Sequence, residues 1–288
     1  MTVIRVDVSP RAYEVVVGPL AGGIDRIRDI SAKSRPILVS EPKVFGLHGT
    51  TIAEALQADP ILVPEGEAAK DWRQLHDLLS AMAKIAPTRN TPIVALGGGS
   101  VGDLAGLAGA LFKRGCPILH VPTTLLAQAD SAVGGKTAID AFGEKNLIGT
   151  FHQPSLVLAD PSLLDTLDER QLRAGYAEVV KYGLIDDPAF FVWCEANGRG
   201  ILAGHPDLRR QAIITSIRSK ARIVAGDVED RSGKGALLNL GHSFGHAIEA
   251  ENGLGNMLHG EAVALGLSLA FRFSADLGIC PKSDADRV

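Results

Sequence analysis

The stretch Thr91-Pro92-Ile93-Val94-Ala95-Leu96-Gly97-Gly98-Gly99-Ser100-Val101-Gly102-Asp103 decides the fold. Residues 92–96 form a short apolar run, the signature of a strand buried on both faces. The glycines stop it, and residues 101–112 continue as an apolar helix rich in Gly and Ala. Gly97, Gly99 and Gly102 have GxGxxG spacing in a strand–turn–helix context. Glycines let backbone approach a phosphate closely, and a helix N-terminus supplies N–H donors and a positive dipole end. The ordinary dinucleotide fingerprint also needs an acid about twenty residues on. Residues 117–124, PILHVPTT, contain none. The turn reads as a diphosphate cradle of unusual type, with the ribose acid sought upstream at Glu41 or Glu67. A tight turn that serves only helix–sheet packing is the plainer alternative.

Outward from this turn the same alternation repeats. Residues 3–8 and 13–17 read as a hairpin. Residues 36–39, 117–121 and 156–159 read as further strands. Residues 65–86 read as a helix, because Trp72, Leu75, Leu78, Leu79 and Met82 recur at three- and four-residue steps. Strands alternating with helices predict a mostly parallel sheet with helices on its faces. Beyond Asp160-Pro161 the texture changes. Residues 162–182, 207–225, 241–251 and 257–277 all carry helical spacing. The sequence therefore predicts an α/β domain over 1–161 and an all-α domain over 162–288. Ser283-Asp284-Ala285-Asp286 reads as a capping box that opens a helix, which suggests that the chain is a piece of a longer one.

Composition excludes several classes. Of 288 residues 46% are hydrophobic and the net charge is −4, so the chain has material for a large core and is not disordered. No apolar run is long enough for a membrane span. A pI near 6.1 and 5% aromatic residues argue against a nucleic-acid surface. Three widely spaced cysteines without CxxC read as reduced thiols of a cytoplasmic protein. The first residues lack the features of a signal peptide.

The helical half holds the best metal candidate. His242 and His246 are four apart on a predicted helix, so they share a face. His259 follows, and Glu178 lies on an earlier helix. Two imidazoles and a carboxylate suit a catalytic divalent ion such as zinc. Spacing alone makes both His242 and His246 ligands, although three partly buried structural histidines would read the same way. Gly134-Gly135-Lys136-Thr137 resembles a triphosphate P-loop, but Asp130 stands where the first glycine belongs. Lys136, Lys145 and Asn146 cluster in a Gly-broken polar loop suited to a phosphorylated or polyhydroxylated small molecule.

Several long segments together resemble the 3-dehydroquinate synthase family of sugar phosphate cyclases. They are VPEGEAAK (63–70), GGGSVGDLAGLAG (97–109), residues 114–140 with PILHVPTTLLAQADSAVGGKTAID, GEKNLIGTFHQP (143–154), LRAGYAEVVKYGLI (172–185), LLNLGHSFGHAIE (237–249) and LHGEAVALG (258–266). The resemblance implies an N-terminal NAD-binding domain, a C-terminal metal-binding domain and an active site between them. It implies conversion of 3-deoxy-D-arabino-heptulosonate 7-phosphate to 3-dehydroquinate and phosphate in the shikimate pathway. NAD and one divalent ion, zinc or cobalt, would be the cofactors. Glu178, His242 and His259 would be the ligands, which moves His246 to the substrate side. Lys136, Asn146, Asn239 and His246 would hold the substrate's phosphate and hydroxyls, and Lys181 and Lys220 would face it. Arg114 would be lent across a homodimer interface. Glu41, Gly66, Glu67, Lys70, Gly98, Gly99, Ser100, Val101, Gly102, Asp103, Thr123, Thr124, Lys136, Lys145 and Thr166 would surround NAD, and Asp130 would lie near the nicotinamide and substrate.

The sequence departs from the family at Gly235, where an arginine usually grips the substrate carboxylate. Neighbouring Lys234 offers only a point charge. Glu41 replaces a more usual Asp or Asn, and the family's C-terminal tail, with a phosphate-binding lysine, is absent. The alternatives are a sister cyclase or a polyol dehydrogenase of the same fold, or a non-catalytic truncated homologue.

Overall fold

In a computed structural model, residues 1–9, 11–31, 34–226, 233–252 and 256–288 are described. The segment 227–232 and the side chain of Lys234 lie outside them, so Lys234, the neighbour that offers a point charge in place of the arginine, is not placed.

The chain opens with a hairpin of β1 (Thr2–Val6) and β2 (Tyr13–Val17), then α1 (Ile24–Ile30), β3 (Ile37–Ser40), α2 (Pro42–Val44), α3 (Thr50–Leu56) and β4 (Asp59–Leu62). Next come α4 (Trp72–Ile85), β5 (Ile93–Gly97), α5 (Gly99–Leu111) and β6 (Ile118–Pro122). A two-stranded ribbon of β7 (Lys136–Ala141) and β8 (Glu144–Phe151) precedes β9 (Leu156–Ala159). The large sheet has the order β1-β2-β9-β6-β5-β3-β4, antiparallel only at β1–β2. Every residue of β3, β5, β6 and β9 is buried, as expected of central parallel strands covered on both faces. α4 and α5 pack on one face through Leu75, Leu78, Met82, Leu104 and Leu107. α1 and α3 pack on the other through Ile27, Ile52 and Leu56.

After β9 the described residues are helical: α6 (Glu169–Ile185), α7 (Pro188–Leu202), α8 (Pro206–Ala225), α9 (His242–Asn252), α10 (His259–Asp276) and the single turn α11 (Lys282–Ala285). A single apolar cluster joins Val6, Val15 and Val157 of the sheet to Val179 and Tyr182 of α6 and to Ile213 and Ile217 of α8. The helical part is thus packed against the antiparallel end of the sheet. Among the described residues no helix is long and apolar enough to cross a membrane.

The structure corrects several sequence expectations. The helix expected over 65–86 begins only at Trp72. Gly66 sits at φ +63 within a short 3-10 turn, and the Asp71 carboxylate caps α4 by accepting from Gln74 N at 2.7 Å. The polar loop around Lys136 and Lys145 is the ribbon β7–β8, turned by Phe142 and Gly143, both at positive φ as a tight hairpin requires. α7 is a helix that apolar spacing does not predict; its sequence signal is the Asp187 cap with Pro188 at the first position. Ser283 caps nothing, because α11 starts one residue earlier, after Pro281.

Candidate active site

Connections from β3 and β5 leave in opposite directions along the sheet, so a crevice opens beyond their carboxyl ends, where open α/β sheets bind ligands. Glu41 follows β3 there and Gly97 ends β5. Gly98 is the N-cap of α5, and no side chain caps its first turn, which leaves N–H groups for an anion. A methyl on Gly98 would come within 3.1 Å of Thr124, and one on Gly99 within 3.2 Å of Ser131 Oγ. A small cavity beside the turn is lined by Gly97, Gly98, Gly99, Gly102, Asp103, Ser131 and Lys136. Ser100 and Val101 complete the first turn of α5. The Glu41 carboxylate accepts from Gly66 N at 3.3 Å, which brings the upstream acid to the 3-10 turn that carries Glu67. Lys70, 4% exposed, pairs with Asp103 at 2.7 Å and also reaches the side chain of Asn146. Thr123 N donates to Gly97 O at 2.9 Å, and Thr166 Oγ1 meets His48 Nε2 at 2.9 Å.

The second cluster belongs to the helical part. Glu178 lies on α6, whose start is fixed by the Asp168 carboxylate accepting from Gln171 N. A methyl on Gly260 would sit 1.9 Å from Ala174 O, so only glycine lets the first turn of α10 rest on α6 one turn before Glu178. A methyl on Gly266 would sit 2.0 Å from Gly241 O, which locks α9 to α10 in the same way. These contacts place His242 and His259, the first residues of α9 and α10, over Glu178. Its Oε1 is 3.7 Å from His242 Nε2 and 3.6 Å from His259 Nε2. Those gaps are too long for good hydrogen bonds. They are close to the roughly 3.4 Å edge of a tetrahedron with 2.1 Å metal–ligand bonds. Lys181 Nζ lies 2.5 Å from the other oxygen, Oε2, as an ion pair, which leaves Oε1 to face the two imidazoles. Burial, helped by Lys181 and His259, pushes His242 down to about 4, so its imidazole is neutral. Its Nδ1 faces Leu240 O at 3.2 Å, leaving the Nε2 lone pair toward Glu178. The donor set suits a divalent ion. His246 groups instead with Glu249 and His259, so one helical face did not make His242 and His246 equivalent.

Asp130 ties the two clusters together. It follows β6 in the segment whose next residue, Ser131, lines the same small cavity as Gly99. Its carboxylate bonds Lys181 at 3.0 Å and also Lys220, whose ammonium reaches Asp130 O at 2.9 Å. Burial alone would raise Asp130, but the two ammonium groups hold it well below the usual carboxylate range. Burial outweighs Asp130 for Lys220 and sets that lysine below its ordinary value.

One expected residue, Arg114, stands apart. Arg114 is exposed at the turn before β6, at the amino end of the sheet, with φ +64. The crevice lies at the carboxyl ends, so Arg114 does not join the site of its own chain. Asn239 is exposed at the end of a 3-10 turn three residues before His242. Gly235 is buried in the same turn. Sequence reasoning missed Glu249, which is 3% exposed and bonds Lys145 at 2.7 Å. Its position one turn after His246 was the available signal.

Comparison with known proteins agrees with this arrangement. The family description "3-dehydroquinate synthase N-terminal" matches residues 60–174, and "3-dehydroquinate synthase C-terminal" matches residues 175–288. The 3-dehydroquinate synthase of Rhodospirillum rubrum is 48% identical over 297 residues, covering all of this chain and 76% of that protein. A 2-epi-5-epi-valiolone synthase from Streptomyces hygroscopicus subsp. jinggangensis, solved with NAD+ and Zn2+ bound, superposes with a TM-score of 0.89 at 29% identity. That match covers 97% of this chain and 79% of the other. A 2-deoxy-scyllo-inosose synthase complexed with carbaglucose-6-phosphate, NAD+ and Co2+ gives a TM-score of 0.84 at 27% identity, over 99% and 80% of the two chains. The chain belongs to the 3-dehydroquinate synthase family.

Proposed function

We propose that this protein is a 3-dehydroquinate synthase: a phosphate-eliminating carbon–oxygen lyase that turns 3-deoxy-D-arabino-heptulosonate 7-phosphate into 3-dehydroquinate and inorganic phosphate. The observation that carries the reading is the convergence of Glu178, His242 and His259 beside a network that reaches the Gly97–Asp103 turn through Asp130. On this reading residues 1–161 bind NAD and residues 162–288 bind the metal, with the reaction in the cleft between them. When bound, NAD accepts and returns a hydride while a divalent ion, zinc or cobalt, polarises the carbinol that is oxidised. The valiolone and inosose synthases, solved with those groups, support the assignment.

The chain's own residues then position charge. Gly98, Gly99, Ser100, Val101 and Gly102 present backbone to the dinucleotide phosphates, with Thr123, Thr124 and Thr166 nearby. Glu41 and Glu67 are the acids available to a ribose. Lys70 and Asp103 brace one another at that end. Lys136, Asn146, Asn239 and His246 bind the substrate's phosphate and hydroxyls. Lys181 and Lys220 stand over the reacting carbons, their positions fixed by Asp130. Such fixed ammonium groups favour the charge that builds up as oxidation acidifies the neighbouring C–H and phosphate leaves. Arg114 reaches the phosphate only from a partner subunit, so the working form is a homodimer. Three unpaired cysteines suit a reducing cytoplasm.

The test follows inorganic phosphate and NADH absorbance together in one reaction with the heptulosonate phosphate. Many phosphates are expected per NAD, with no net NADH, and a chelator should stop the reaction. NADH rising in step with product would instead identify a dehydrogenase.

A further inference from the structure

Glu249 lies between His259 and Lys145 and points one oxygen at each. Oε2 is 3.3 Å from His259 Nδ1. Oε1 accepts from Lys145 Nζ at 2.7 Å. Lys145 in turn lies 3.9 Å from Glu67, at the dinucleotide end of the cleft. The other nitrogen of His259, Nε2, faces Glu178. An imidazole that donates from Nδ1 carries its lone pair on Nε2, the atom aimed at the other two donors. A buried carboxylate at Nδ1 fixes both the tautomer and the ring plane.

His246, Glu249 and His259 also lie close enough together to hold a cation of their own. Two contacts argue against that use. The Lys145 ammonium occupies one Glu249 oxygen and would repel a cation placed there. With the His259 proton on Nδ1, the other oxygen accepts from it at 3.3 Å and that nitrogen has no lone pair to offer.

We infer that Glu249 is a positioning residue that holds His259 in its metal-binding tautomer and links it to Lys145. This rests on the metal reading of Glu178, His242 and His259 proposed above. Zn2+ affinity of the NAD-loaded protein, measured by chelator competition, tests it in Glu249→Gln, Glu249→Asp and Lys145→Met, alongside the visible spectrum of the Co2+ form. Glu249→Gln should weaken Zn2+ binding about 10- to 100-fold and shift the Co2+ bands. Glu249→Asp should restore part of the loss. Lys145→Met should bind at least as tightly as wild type, because the freed carboxylate pulls harder on Nδ1–H. Unchanged affinity and spectrum in Glu249→Gln, equal losses in Glu249→Gln and Lys145→Met, or two ions per wild-type chain would each overturn the inference.

Should Glu249→Gln not fold, nitrogen-15 spectra of the wild-type histidines decide. His259 is expected to carry its proton on Nδ1 and to shift at Nε2 on metal binding; a bare Nδ1 overturns the inference. A wild-type chain that binds no metal removes the proposed function's metal site as well, whereas normal binding with an indifferent Glu249 removes only this inference.

Discussion

The two ends of the cleft are built in different ways. The glycine turn is local: strand, turn and helix are consecutive in sequence, so its phosphate-facing backbone comes from one stretch of chain. The Glu178–His242–His259 cluster is non-local. Its members come from three helices, brought together by backbone contacts at Gly241, Gly260 and Gly266. A local site survives the loss of distant contacts, whereas a gathered one depends on everything that seats the helices.

The sharpest way to break this comparison is at Asp130, which joins the two ends. Asp130→Asn removes the acid partner of Lys220 and leaves Lys181 only Glu178 among the described residues. An unpaired buried charge costs about 3–5 kcal/mol, so urea unfolding should show a loss of that order. A loss below about 1 kcal/mol would mean that the network is solvated and the two ends are independent.

A second effect belongs to the sheet. His120, buried on β6, is pushed down to about 4 by burial, with His152 adding to it. Between about pH 4 and 6.5 the unfolded chain therefore binds a proton that the folded chain does not, so stability rises with pH across this window and falls on acidification. The contribution reaches at most about 3 kcal/mol. His120→Asn should flatten the pH dependence of unfolding there; an unaltered slope would contradict the burial argument.

The smallest effect probes the local end alone. Gly98→Ala keeps an ordinary φ of −76° but points a methyl at Thr124. NAD should bind about tenfold more weakly, near 1.4 kcal/mol, while metal affinity and unfolding midpoint stay as in wild type. Metal loss in this variant would mean that the two ends are more tightly coupled than the contacts imply.

What was legible in the sequence follows the same division. The strand–glycine–helix unit could be read because its pattern and its structure share one stretch of chain. The ribbon β7–β8 reads as a loop in the sequence, since β8 is mostly exposed and lacks the apolar run that marks a core strand. Periodicity placed His242 and His246 on one helix face, but it carries no information about which face meets α6. His242 opens α9 directly over Glu178, while His246, one turn on, lies beside Glu249. Glu249 carries little sequence signal because an isolated glutamate on a helix is usually solvated, and its partners, His259 at the start of α10 and Lys145 on β8, lie on other elements of the chain.

The most direct test of the gathered site is the metal content of wild type, His259→Ala and His246→Ala after dialysis into metal-free buffer. The account predicts a single ion per wild-type chain, almost none in His259→Ala, and near wild-type content in His246→Ala. Equal loss from both variants would contradict it.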